Sequence, residues 1–317
     1  MTRLPASFWT EIPRSLVIVF STVMLILGII FLLFCQVPVL KLVSKSASTQ
    51  KSTFHWILGN VDILDYLTSK TTIVAAIMSL TQRRCFPLAY ELCSAVHAVY
   101  EWTLHLICFA LALKVFFAVF KMEMKYTDTV LKFLTLFVWK FLLIVLHVNF
   151  ETDITFAYIF NVINFSVVLP TTKAVSTYKV FFNIELVFVV LTFLFYLVVL
   201  TKFVLKKRSK DEPIPDSDLQ IFFQGLATFL PGAIYFVINA LINSHVAKAS
   251  LGLSVLLTIL PRLVPVCNCV GLLVVNKELR SDFVSQLKKK FRCCCRSEPV
   301  ETTISLNKIE AARNVRQ

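Results

Sequence analysis

The chain has 317 residues, 57% of them hydrophobic, with a mean hydropathy of +0.76 and a formal net charge of +13. So much Leu, Ile, Val and Phe exceeds what a soluble core can hide, so the expected class is an all-α, polytopic membrane protein. Nucleic acid is excluded as a partner, because the Lys and Arg sit in short links between apolar runs.

Crossing a bilayer takes about 20 apolar residues. Seven runs qualify, at roughly 16–40, 54–80, 92–120, 129–149, 182–205, 219–243 and 249–275. Each is expected as a helix, since lipid offers no partner to an open strand. The first run is too long for a signal-peptide core and has no small-residue cleavage site, so it reads as the first span. The longest polar breaks are 150–181 and 206–218, the second a solvated loop with Pro213 and Pro215. No internal repeat supports an inverted-repeat transporter. Residues 1–295 are expected to form the membrane domain with its surface helix, and 296–317 a flexible cytoplasmic tail.

Charge sets the expected orientation. The first, third and fifth links and the tail hold 21 of the 32 Lys and Arg, the N-terminus and even links 7, and the spans 4 (Lys70, Lys114, Lys140, Arg262). The positive-inside rule then puts the N-terminus outside and the C-terminus inside. The sequon Asn164-Phe165-Ser166 falls in an outer link, where glycosylation is permitted.

Charged groups at membrane depth cost at least ~2.5–3.5 kcal/mol each, so each needs a partner or a purpose. Span two carries Asp62, Asp65 and Lys70; span three His97, Glu101 and His105; span five Glu185; span seven Arg262. At ~1.5 Å per residue, Asp65 lies ~18 Å from the entry of its span and Arg262 ~21 Å from Asn276, with Glu101 at a similar level. Arg262 is therefore expected to pair with Asp65 or Glu101, as a structural bridge or as the floor of a ligand cavity. His97, Glu101 and His105 recur every four residues and share one helix face. Further ligands at matching depth are lacking, so that face reads as an inward polar stripe and not as a metal site. With no phosphate-cradling glycine loop and no G-x-S-x-G, neither an enzyme nor a cofactor is expected.

Cys85 and Cys93 flank the second outer link and are expected to form a disulfide. After Asn276, the residues Leu279, Phe283, Leu287 and Phe291 recur every four with Lys and Arg between them. The pattern predicts a short amphipathic helix whose apolar face sinks into the inner leaflet. Cys293, Cys294 and Cys295 follow it as candidates for S-palmitoylation.

Seven spans, an outside N-terminus, a basic third inner loop and a helix after the last span resemble a G-protein-coupled receptor. Asn276-Lys277-Glu278-Leu279 resembles the start of the receptor eighth helix, which places Asn268 on the Asn of N-P-x-x-Y, although Cys269 and Leu272 replace its Pro and Tyr. Phe229-Leu230-Pro231 resembles the sixth-span proline kink, Trp139 the fourth-span tryptophan, and Asp62 or Asp65 the second-span aspartate. The third span ends Val119-Phe120-Lys121-Met122 without D-R-Y, and residues 150–181 hold no cysteine for the usual disulfide. Thr53-Phe54-His55 through Asn60-Val61-Asp62-Ile63-Leu64 is similar to the F-(H/Y)-x-x-x-x-x-x-D-I-L entry of nematode serpentine chemoreceptors of the Srg superfamily (Srv-, Sru- or Srxa-like), a resemblance covering roughly residues 16–295.

The resemblance implies a plasma-membrane chemoreceptor working with a heterotrimeric G protein, as a monomer or a homo- or hetero-dimer. A small ligand entering from outside would contact His97, Glu101, Trp102, Glu185, Tyr235 and Arg262, with Asp62, Asp65 and Asn268 forming the polar core. Pro231, Pro261 and Pro265 would supply kinks at which helices hinge. The alternatives are a ligand-gated channel or transporter and a metal-dependent membrane hydrolase.

Overall fold

In the computed structural model, residues 13–50, 53–82, 87–122, 126–151, 155–159, 164–168, 171–208, 215–243 and 251–295 are described. Helices dominate. The first helical run is α1 (Arg14–Phe31), a π-helical turn at Leu32–Gln36, and α2 (Val37–Gln50). The chain continues with α3 (Thr53–Thr81), α4 (Pro87–Val119), α5 (Thr127–Glu151), the strands β1 (Thr155–Ile159) and β2 (Asn164–Val168), α6 (Thr172–Arg208), α7 (Asp216–Asn243), α8 (Leu251–Val275) and α9 (Lys277–Cys295).

Among the described residues, six helices are long and apolar enough to cross a membrane. These are the α1–α2 run to Ser44, α3, α4, α5, α6 and α7, while α8 contributes a shorter apolar stretch, Arg262–Val275. The six overlap the first six expected runs, and α8 overlaps the seventh. The large apolar side chains left exposed on them, among them Phe133, Leu143 and Val187, suit helices that face lipid. The chain is therefore a helix bundle compatible with a multi-pass place in a membrane.

The π-turn has a local cause. Pro38 lacks an N–H and its ring collides with the carbonyl four residues back in a regular helix. Here the Val37 N–H bonds Leu32 O, five residues back, and the widened turn accommodates the proline. Helix then resumes to Gln50, ten residues past the expected end of the first span. No Gly or Pro stops it in Lys41–Gln50.

Two elements depart from the expectation for 150–181. The strands pair antiparallel from Thr155↔Val168 to Ile159↔Asn164, so a short hairpin interrupts an otherwise helical chain. Helix α6 begins ten residues early because Thr171 caps it: Ala174 N–H donates to Thr171 Oγ1 at 3.0 Å.

Helix α6 buries Glu185, Val189, Thr192, Tyr196, Val199 and Phe203. These alternate steps of four and three, a single stripe directed at α4 and α7. The facing rings Phe182–Phe236 (5.2 Å), Tyr196–Phe229 (5.7 Å), Tyr196–Phe222 (5.9 Å) and Phe203–Phe222 (5.3 Å) fill the seam with α7.

Helix α9 is placed differently from its expected position. Asn276 caps it by accepting the Leu279 N–H at 3.0 Å. Leu279 and Phe283 are buried in the protein core and Leu287 packs against it. The apolar stripe therefore meets the extended α2 and the end of α8 instead of acyl chains, because α2 overshoots the membrane run and offers its own apolar wall. The side chains of Phe291, Cys293, Cys294 and Cys295 lie outside the described residues.

Candidate functional site

Three buried polar contacts stitch α3 into the bundle. Asp65, 1% exposed, accepts the Tyr100 hydroxyl of α4 on Oδ1 at 3.0 Å and the Asn268 amide of α8 on Oδ2 at 2.7 Å. On another side Trp139 Nε1 of α5 donates to Asn60 Oδ1 at 2.6 Å, while Asn60 Nδ2 donates to Trp56 O at 2.7 Å. Asp65 and Asn268, both expected in a polar core, are thus in direct contact. Asp62 is buried beside them, with Oδ2 lacking a hydrogen-bond partner among the described residues.

The expected Arg262–Asp65 bridge is not formed. Neutral donors from α4 and α8 occupy both Asp65 oxygens, and Arg262 is half-buried on α8. The side chain of Glu101, the other expected partner, lies outside the described residues.

The second centre joins α4 to α6. His105 Nδ1 and Glu185 Oε1 lie 2.7 Å apart, both side chains almost wholly buried. The other ring nitrogen, Nε2, has no partner among the described residues and faces α7 at Gly232, where an added Cβ would come within 3.4 Å of it. Phe236 closes the ring edge at 5.6 Å. Beside this pair is a cavity of about 10 Å³, the space of roughly one water. Trp102, His105, Leu106, Phe141, Phe181, Ile184, Glu185 and Phe188 line it. Trp102 stacks on Phe181 at 4.6 Å.

Of the six expected ligand contacts, Trp102 and Glu185 line this cavity. His97 and Tyr235 are buried elsewhere, and Arg262 is not part of the lining. The cavity lies between spans three, four and five, whereas the expected contacts were drawn from spans three, five, six and seven. His105 completes it; its sequence signal was the inward stripe it shares with His97. Nothing in the sequence singled out Tyr100 or Asn60. Among the described residues no group of three His, Cys, Asp or Glu could hold a metal.

From the cavity wall a column of rings descends between α4 and α6: Phe188–Phe109 (5.2 Å), Phe109–Phe195 (5.9 Å), Phe195–Phe116 (5.1 Å) and Phe116–Phe120 (4.6 Å). It ends at Lys202, whose ammonium sits 4.0 Å from the Phe120 ring centre and donates to Val119 O at 2.7 Å. Lys114, expected inside a span, reaches Asp128 at 3.2 Å at the same end.

Cys93 is buried, and Cys85 lies outside the described residues. Asn164 opens β2, with its side chain outside the described residues.

Fold and site together define a multi-pass helical membrane protein with a polar core. No protein-family model and no curated protein matches the chain.

Proposed function

We propose that this protein is a seven-helix, G-protein-coupled chemosensory receptor in the plasma membrane, with its N-terminus outside and α9 inside. The observation that carries the reading is the aromatic column between α4 and α6. It connects a buried His105–Glu185 cavity to Lys202, beside the α4 terminus, where a G protein would meet the bundle. A small ligand widening the cavity displaces Phe188 and Trp102, and the packed rings transmit that displacement because a close-packed seam has few intermediate arrangements. The ligand favours whichever arrangement of α6 against α4 it binds better.

The test is a second-messenger assay across a ligand panel, in cells with and without the G protein. The expected result is a response that vanishes with the G protein, and also with His105→Phe or Glu185→Gln at unchanged surface abundance. Ligand-evoked current that persists without any G protein would instead identify a channel.

A further inference from the structure

Helix α3 presents Trp56, Ile63, Lys70 and Ile77, seven residues apart, as one exposed stripe. Seven residues are nearly two helical turns, so these four share a face, and the three apolar members mark it as facing lipid. Lys70 is the exception, about one turn beyond the midpoint of Thr53–Thr81. A lysine so placed normally extends toward the nearer interface. This one does the reverse. Its ammonium lies 4.3 Å from the centre of the Tyr66 ring, four residues back, which carries the charge toward the middle of the helix. The direction holds whichever way the bundle is oriented.

A ring face is the only partner the described residues give this cation. A second copy of the chain supplies no better one from its described residues. Asp62, Asp65 and Glu185 are buried inside the bundle, Asp128 and Glu151 stand at the two ends of α5, Asp218 lies in the first turn of α7, and Asp282 is exposed on α9, after the last apolar run. We propose that the lipid-facing stripe around Lys70 docks a membrane-spanning helix of a different protein, one bearing a carboxylate at mid-membrane. An ammonium among acyl chains has lost its water, so a carboxylate at the same depth is the strongest complement available to it. The apolar side chains at 56, 63 and 77 supply the packing on either side. The inference rests on the bundle lying in a membrane and is independent of receptor activity.

The test uses the full-length protein, labelled with a donor fluorophore, in phosphatidylcholine vesicles. Lys140, exposed on α5, is replaced by Leu throughout so that it does not compete. The probes are acceptor-labelled polyleucine helices of about 20 residues carrying Asp, Leu or Lys at the midpoint. Energy transfer should show the Asp helix bound about 10-fold more tightly than the Leu helix, the ratio that ~1.4 kcal/mol gives. Lys70→Leu should bring that ratio to one, and Lys70→Glu should transfer the preference to the Lys helix. Thermal unfolding verifies that each variant is folded, and flotation with the vesicles verifies membrane insertion separately. Equal binding of the Asp and Leu helices by wild type, or a preference that survives Lys70→Leu, overturns the proposal. So does loss of the preference when phosphatidylserine is added, because the occupant is then a lipid headgroup.

Discussion

Asp65 and Gly225 show how much one side chain decides inside this bundle. Asp65→Ala removes the acceptor for two buried donors, Tyr100 and Asn268. Each orphaned donor costs about 1–3 kcal/mol, so the variant should melt well below wild type in detergent, as read by thermal unfolding. Gly225 is the opposite case, a position that lacks space. A Cβ there would collide with the Tyr196 hydroxyl, which itself has no partner among the described residues. Gly225→Ala should destabilise by about 1–3 kcal/mol through overpacking. Tyr196→Phe alone should be close to neutral, and combined with Gly225→Ala it should recover much of the loss. Additive behaviour in that cycle would show that the hydroxyl is not the obstacle. That Asp65 would be buried and in need of partners was legible from its depth in an apolar run. The receptor resemblance grouped Asn268 with it, but Tyr100 was not legible, because it lies 35 residues away and only packing brings the two together.

At the scale of elements, the span boundaries followed from hydropathy, while the helix ends followed from caps and packing. Thr171 starts α6 early and Asn276 starts α9 where expected. The four-residue spacing of Leu279, Phe283 and Leu287 identified an apolar face on α9. Spacing does not say what covers a face, and here the cover is α2 and α8, not the leaflet. Leu279→Ser with Phe283→Ser should therefore detach α9 from α2, seen as faster amide exchange in both helices. Exchange unchanged in α2 would mean that α9 is held from elsewhere. A second element-scale prediction concerns Lys202, which ties α6 to the Val119 carbonyl at the end of α4. Lys202→Met should broaden the distance distribution between spin labels placed at the adjoining ends of α4 and α6. An unbroadened distribution would show the aromatic seam to be sufficient alone.

Over the whole molecule, polar cross-links and aromatic seams share the task of holding helices together. Lipid gives apolar helices little reason to associate, so directional bonds and close packing replace the hydrophobic drive. The Asp65 cluster joins α3, α4 and α8, Trp139 adds α5, and His105–Glu185 adds α6. Glu185→Leu should consequently weaken the α4–α6 joint and leave His105 unsatisfied, lowering the melting temperature by several degrees. Glu185→Gln, which keeps an acceptor, should lower it less.

Composition, the apolar runs and the four-residue spacing after Asn276 were enough to determine a helical bundle compatible with a membrane, with a helix following its last apolar run. They are local properties, each read from some 20 consecutive residues against the thickness of a bilayer. Tertiary structure alone decided that Asp65 binds Tyr100 and not Arg262, that the cavity opens among α4, α5 and α6, and that α9 lies on α2. Those outcomes depend on which helix faces meet and at what depth. A repeat of 3.6 residues specifies a face, and the choice of neighbour belongs to the packing of all the helices together.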